Sequence, residues 1–322
     1  MELLLPFHIN PSHTKISYTD KLLLIGSCFT EDIGNRMKET KFNVLQNPNG
    51  ILYDPLSIGF TLTSYIENKK YTEDDLFFLN ELWHSWHHHS VYSGPVKENV
   101  LQKINLAQSK AHQYLDEASW LVITTGTAFK YYLQSGQPVA NCHKAPSSFF
   151  EKKLLSIEII RQQLADVIQK LQAFNPKLKI ICTVSPVRHI RDGVIENNKS
   201  KARLIEATHS LVSEFKNVCY FPAYELIIDV LRDYRFYNDD LVHPTSSATG
   251  FVFEKFCSAF VEYKSLQLMA EIKGIVSAMK HKPFHPESDS HEKFRKAQLE
   301  KINRIAEKFP SLDLAHEISF FS

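Results

Sequence analysis

No apolar run in the 322-residue chain approaches the roughly 20 residues a membrane span needs, so nothing reads as a transmembrane segment. No basic block stands out and the formal net charge is only +1, which removes the positive face expected of a nucleic-acid partner. The amino terminus has no basic n-region, and its apolar stretch is too short for an export leader. The five cysteines, Cys28, Cys142, Cys182, Cys219 and Cys257, are odd in number, scattered, and never in a CxxC-like metal spacing. Without an export signal they read as reduced thiols, and the expected compartment is the cytoplasm. There is no Gly-rich phosphate loop, no internal repeat and no low-complexity tract. What is present is an ordinary globular composition, 43% hydrophobic, 23% charged and 12% aromatic. The length suits one large domain with an appendage.

Apolar runs at residues 21–25, 42–45, 120–126, 178–186 and 218–221 read as strands. Segments 31–40, 55–68, 100–117, 157–174 and 199–215 carry helical signals. The region 81–95 is irregular and rich in aromatics and histidine. Strands alternating with helices predict an α/β fold, a three-layer α/β/α sandwich around a mostly parallel five-stranded sheet. From residue 247 the pattern becomes all-helical, with one helix expected over 250–280, a join at 281–286 and a charged amphipathic helix over 292–309. The expected organisation is an α/β domain over 1–262 and a helical extension over 263–322 that packs on the core.

Two stretches carry the chemistry. In Leu23-Leu24-Ile25-Gly26-Ser27-Cys28-Phe29-Thr30 a strand ends in Gly-Ser-Cys and turns into a helix, which is how an α/β enzyme presents a nucleophile at the carboxyl edge of its sheet. In Asp239-Asp240-Leu241-Val242-His243-Pro244 an Asp and a His lie three residues apart. A hydroxyl or thiol is a weak nucleophile until a base takes its proton. His243 is the natural base, and Asp240 would hold its tautomer. The helix start and a charged histidine are expected to draw the Cys28 thiol toward thiolate. Either Ser27 or Cys28 could attack.

In Trp83-His84-Ser85-Trp86-His87-His88-His89-Ser90, His84 and His88 stand at helical zinc spacing, yet no HExxH glutamate lies between them. The favoured reading is a pocket-lining loop, with His88 and His89 facing substrate, and no metal. Asn141-Cys142-His143-Lys144 reads the same way, with His143 toward substrate. Asn198-Lys199-Ser200-Lys201 opens a helix and reads as a cap.

The motif Gly26-Ser27-Cys28-Phe29-Thr30 resembles the signature of the GSCFA-domain family, with Thr30 in place of the final Ala. Further stretches fit it in order: Asn47-Pro48-Asn49-Gly50, Asp54-Pro55-Leu56-Ser57-Ile58, Thr125-Gly126-Thr127-Ala128, Val139-Ala140-Asn141-Cys142-His143-Lys144, Thr183-Val184-Ser185-Pro186-Val187, Asn198-Lys199-Ser200-Lys201 and Tyr220-Phe221-Pro222-Ala223-Tyr224-Glu225. The family resembles a divergent branch of the SGNH (GDSL-like) hydrolases, which implies a flavodoxin-like fold and ester chemistry. Laid on Gly26-Ser27-Cys28 without a gap, the SGNH nucleophile column falls on Cys28 and the Asp column on Ser27. The Asp-x-x-His block falls on Asp240 and His243. Gly50 takes the place of the oxyanion-hole glycine. The third block, normally Gly-x-Asn-Asp, is Gly126-Thr127-Ala128 here, so Gly126 is retained and Asn141 is the candidate for the absent amide. The resulting expectation is a cofactor-free hydrolase or O-acyl transferase acting on a small-molecule or glycan ester. The alternative is an altered SGNH-like module that binds glycan or acyl groups.

Overall fold

In the computed structural model, which describes residues 5–322, the chain alternates strand and helix as its apolar pattern dictates. The residues 1–4 that enter the leader argument lie outside the described part. The elements are β1 (Lys21–Gly26), α1 (Cys28–Glu39), β2 (Asn43–Gln46), α2 (Pro55–Ile66), β3 (Phe77–Leu79), β4 (Leu82–His84), α3 (Lys97–Glu117), β5 (Trp120–Thr125), β6 (Phe129–Leu133), β7 (Pro138–Val139), β8 (Phe150–Leu154), α4 (Ile157–Phe174), β9 (Lys179–Val184), α5 (Val194–Glu214) and β10 (Val218–Tyr220). A short helix α6 (Ala223–Glu225) runs into a π-helical turn, and α7 (Ser246–Phe260), α8 (Tyr263–Lys280), α9 (Asp289–Lys308) and α10 (Ala315–Phe321) follow.

The fold is α/β. Strands β2, β1, β5, β9 and β10 lie side by side in that order, and every pairing is parallel. Counting only these five, the order is 2-1-3-4-5, in which the connection reverses direction between the first and third strands; open sheets of this kind bind ligands there, outside the carboxyl ends. Alternate residues feed opposite cores. Leu22, Leu24, Trp120 and Val122 join α1, α7, α8 and residues of α9 and α10 on one face. Leu23, Ile25, Leu121 and Ile123 join α2, α3, α4 and α5 on the other. Ile272, Ile275, Ile302 and Phe321 belong to the first of these cores, so the C-terminal helices bury their apolar stripes against the sheet layer.

Three local elements depart from the sequence expectation. The segment 250–280 is two helices, broken where Ile16 pairs with Val261 and the backbone of Glu262 bonds to Ile16 (3.0 Å). The stretch 129–154 forms a small antiparallel sheet of β7, β6 and β8. The aromatic region is partly ordered as the hairpin β3–β4. Among the described residues, no helix is long and apolar enough to cross a membrane.

Candidate active site

The first loop is built by close approach of two strand ends. Gly26 has φ +142°, and a side chain there would overlap the Thr124 carbonyl of β5. Its N–H donates to Asn47 Oδ1 (2.9 Å), and the Ser27 N–H donates to Thr124 O (3.2 Å). Ser27 takes the N-cap position of α1, but its hydroxyl makes no capping bond. It is 1% exposed and its Oγ has no hydrogen-bond partner among the described residues. Cys28 is the first helical residue and is half-buried. The N–H groups of Phe29 and Cys28 reach its thiol and favour thiolate, as does Lys201. Burial outweighs them and, with the Glu31 carboxylate, pushes the thiol up. The expected drift toward thiolate is therefore corrected: the helix start contributes in the anticipated sense and desolvation reverses the net result.

The second loop is held by its own carboxylate. Asp240 Oδ1 accepts from the backbone N–H groups of Val242 and His243 (2.9 Å each), and Oδ2 accepts from His243 Nδ1 (2.7 Å). These bonds hold the Asp240 carboxyl down at about 2. With Nδ1 donating to the carboxylate, Nε2 is left with the free lone pair, the tautomer a general base needs. Both side chains are 49% exposed. The loop is tied to the segment after β9, where Arg188 N donates to Val242 O (3.3 Å). No hydrogen bond joins His243 to Ser27 or Cys28 among the described residues.

The ring of His189 meets the Tyr53 ring edge-on at 5.5 Å. Burial lowers His189 to about 4, and Lys201, Lys152 and His243 add to the effect. Burial raises the Tyr53 phenol, and Cys28 is the first charge to add to it. Lys201 is 1% exposed and pairs with no carboxylate among the described residues; its Nζ donates to Gly126 O (2.7 Å) and Ser185 O (2.6 Å). Lys201 sits in register with Leu204, Thr208 and Leu211 on the buried face of α5. That register, a charge on an apolar stripe, was the sequence signal for it; the helix-opening reading passed over it. Capping at 198–201 is corrected too, since α5 begins at Val194 and Ser200 instead accepts from Ala128 N (2.7 Å).

The expected oxyanion donors stand as follows. The Gly50 N–H is already donated to Asn47 O (2.7 Å), and Gly50 has φ +79° with His89 filling the space a side chain would need. Its role is a tight turn, not anion binding. The Gly126 N–H is donated to Tyr53 O (2.7 Å). Neither amide is free, so both assignments are corrected. Asn141 borders a cleft of about 530 Å³, but its Oδ1 accepts from His143 N (2.9 Å) and Ser90 Oγ (3.3 Å), a turn-holding role. This leaves the N–H groups of Cys28 and Phe29 as the donors nearest the thiol.

Among the described residues, the histidine-rich segment 83–90 supplies none of the lining of this cleft. His143 lines the cleft and is 5% exposed; its Nε2 pairs with Ser85 O (2.9 Å) and its Nδ1 with Ser90 Oγ (3.0 Å). Burial lowers it to about 4. His88 is fully buried against Tyr71 and Ser85, and burial lowers it to about 3. His89 caps a short helical turn through Val91 N (3.3 Å) and abuts Gly50. The expectation that His88 and His89 face substrate is corrected on these contacts. His84 ends β4, with Nδ1 on Ser93 Oγ (2.6 Å) and Nε2 on Leu79 O (3.0 Å), so it and His88 do not share a helix face. Among the described residues no group of three or more His, Cys, Asp or Glu side chains converges as metal ligands. A larger cavity of about 650 Å³ lies among α8, α9 and the 281–288 join, away from Cys28 and His243.

The sequence model of the GSCFA family matches residues 21–256, and that of the GSCFA domain protein C-terminal domain matches 272–322. No curated protein matches. A solved structure, a carbohydrate esterase family 3 from Talaromyces cellulolyticus, is similar with a TM-score of 0.36 and 10% identity, over 79% of this chain and 99% of that one.

Proposed function

From the premise that this chain belongs to the GSCFA family, whose model covers residues 21–256, we propose that it is an ester-bond hydrolase or O-acyl transferase of the SGNH type that works through a thioester on Cys28. The observation that carries this reading is the Asp240–His243 pair. It is a carboxylate-oriented imidazole, half-exposed and with Nε2 unbonded among the described residues, on a loop tied to the segment after β9 at the carboxyl edge where Gly26-Ser27-Cys28 leaves β1. His243 takes the thiol proton as Cys28 Sγ attacks the ester carbonyl, and the N–H groups of Cys28 and Phe29 receive the oxyanion. His243 then returns that proton to the departing alkoxide, leaving an acyl thioester. Water, or a second hydroxyl, attacks the thioester with His243 again as base, and the acid or the new ester departs. The 530 Å³ cleft beside Tyr53 and His189, walled by Phe129, Tyr131 and polar groups, suits a small-molecule or glycan ester. Free thiols at all five cysteines support a reducing, cytoplasmic setting.

The test is p-nitrophenyl acetate turnover by the wild type beside Cys28→Ala and His243→Ala, with the acetylated Cys28 peptide sought by mass spectrometry after acid quench. Loss of turnover in both variants and an acetyl group on Cys28 are expected. A wild type no faster than His243→Ala would remove the reaction. The thiol's upward shift and the occupied Gly50 and Gly126 amides favour a second reading, a module that binds glycan or acyl groups without turning them over.

A further inference from the structure

The cleft of about 530 Å³ beside Tyr53 carries an excess of positive charge that the chemistry at Cys28 does not use. Asp54 and Asp192 line it, but Asp54 is paired with the buried Lys130 (3.2 Å) and Asp192 with Lys152. Lys152 is engaged a second time, its ammonium 4.2 Å from the centre of the Phe129 ring. His143 and His189 add no charge at neutral pH, since burial brings both down to about 4. Lys144 and Arg191 remain. Both are exposed cations on the cleft wall, and neither meets a carboxylate among the described residues. Uncompensated charge of one sign on a concave surface concentrates ligands of the other sign.

Each cation is placed by a held turn. His143 and Lys144 are consecutive residues with φ +48° and +58°, a left-handed conformation unfavourable to ordinary side chains. The turn is maintained by Asn141 Oδ1, which accepts from His143 N (2.9 Å), and by the buried His143 ring, bonded to Ser85 O (2.9 Å) and Ser90 Oγ (3.0 Å). Arg191 sits in the short helical turn Ile190–Asp192, which follows the segment bonded to the His243 loop through Arg188 N and Val242 O (3.3 Å). The cleft also adjoins the Cys28 loop. A methyl group on Gly126 would lie 3.4 Å from both Tyr53 Cδ1 and Ser27 Cβ, so a cleft-lining ring and the residue before Cys28 flank one backbone unit. Among the described residues, the Tyr53 and Tyr131 hydroxyls and Asn141 Nδ2 make no hydrogen bond, which leaves neutral polar groups on the same wall for a polyhydroxy ligand.

We propose that the cleft takes the ester of an acidic sugar, with Arg191 and Lys144 receiving the sugar's carboxylate and Tyr53, Tyr131 and Asn141 its hydroxyls. That the ligand is an ester rests on the proposed chemistry at Cys28; the acidic sugar rests on the cleft alone. The Arg191 guanidinium is a planar fork that matches a carboxylate with two hydrogen bonds, and the Lys144 ammonium adds a point charge. The chain has no Gly-rich loop to wrap a phosphate, which favours a carboxylate as the acid. Because Arg191 follows the segment tied to the His243 loop, a sugar anchored there is held in register with the base.

The experiment is a ligand-observed NMR titration at pH 7.5 with glucuronate, glucose and glucose 6-phosphate, which differ at one ring substituent. It is run on the wild type, Arg191→Gln, Lys144→Gln and the double variant; both positions are exposed, so native circular dichroism is expected throughout. The wild type should bind glucuronate about tenfold more tightly than glucose, with the difference shrinking as salt is raised. Each single variant should lose about three- to fivefold in glucuronate affinity with glucose unchanged, and the double variant should bind the two sugars within about twofold of each other. Wild-type affinities for glucuronate and glucose that already agree within about twofold, or a preference that survives in the double variant, overturn the proposal. Tighter binding of glucose 6-phosphate than of glucuronate overturns the carboxylate assignment. None of the probes holds an ester, so binding is read without turnover. A glucuronate preference with no p-nitrophenyl acetate activity removes the reaction and keeps the acidic-sugar site, whereas activity lost in Cys28→Ala with no glucuronate preference does the reverse.

Discussion

Acidification should weaken the protein through the buried histidines His88 and His143, and the structure sets the size of the effect. His88 is fully buried, and among the described residues its ring bonds through Nδ1 to Ser85 Oγ (3.0 Å) while Nε2 has no partner. Burial puts its folded value at about 3, and that of His143 at about 4. An unfolded histidine takes up its proton near 6.5. Both folded values are depressed, so as pH falls the unfolded chain binds protons first. Stability is whole above about pH 6.5 and is lost from there down to the folded values. At pH 5 each group lies about 1.5 units into that window, or roughly 2 kcal/mol, so the two together cost about 4 kcal/mol. That is a large share of the 5–15 kcal/mol typical of a domain. Trp86, stacked on Phe77 at 3.6 Å beside His143, should report the loss as a fluorescence change in urea titrations at pH 7.5 and pH 5. His88→Phe keeps an aromatic ring against Tyr71 and removes the titration. Comparing the pH 7.5-to-5 difference in each protein cancels any fixed cost of the substitution. The variant should lose about 2 kcal/mol less than the wild type over that interval. Equal losses would refute the assignment of the acid lability to His88.

Asp240→Asn leaves the loop's shape nearly unchanged but removes the anion on His243 Nδ1, and should lower p-nitrophenyl acetate turnover by about 10²–10⁴-fold with the fold retained by circular dichroism. Lys130 is buried, paired with Asp54 (3.2 Å) and bonded to Ser57 Oγ (2.5 Å) and Val139 O (3.0 Å). Lys130→Met should cost about 3–5 kcal/mol in urea unfolding, because it strands the Asp54 carboxylate. Gly50→Ala should lower the melting temperature well beyond a surface substitution, since φ is +79° and the new methyl would collide with His89; a change within a degree would contradict the turn role.

What the sequence disclosed and what it withheld divide along one physical line. Strands β1, β5 and β9 are apolar runs buried on both faces, so a one-dimensional pattern is enough to find them and to expect a parallel sheet. Asp240 and His243 are legible because their interaction is local, made within one turn. The sheet of β6, β7 and β8 was missed because Phe129–Leu133 and Phe150–Leu154 carry lysines and are half-exposed, and each becomes a strand only through its partner. The break after Phe260 depends on Ile16, some 245 residues away, and leaves no mark on the apolar spacing. Gly50, Gly126 and Lys201 show the same limit at the site. Whether an amide is free, or a lysine has an acid beside it, is decided by long-range neighbours: Tyr53 for Gly126, Gly126 and Ser185 for Lys201.

That limit also bears on the choice between Ser27 and Cys28, which residue type alone left open. Ser27 is 1% exposed with an unpartnered Oγ, whereas Cys28 is half-buried and its thiol is met by two helix N–H groups. A nucleophile must reach the carbonyl carbon, and the Ser27 hydroxyl has no path to solvent. An unsatisfied buried hydroxyl costs about 1–3 kcal/mol, and replacing it by hydrogen removes that cost while leaving a void no larger than one oxygen atom. Ser27→Ala should therefore fold at least as stably as the wild type, with the melting temperature level or up by a few degrees. It should keep p-nitrophenyl acetate turnover within about threefold, while Cys28→Ala abolishes it. Turnover lost in Ser27→Ala and kept in Cys28→Ala would mean that the loop opens to bring the serine out, and the thioester mechanism would give way to a serine ester.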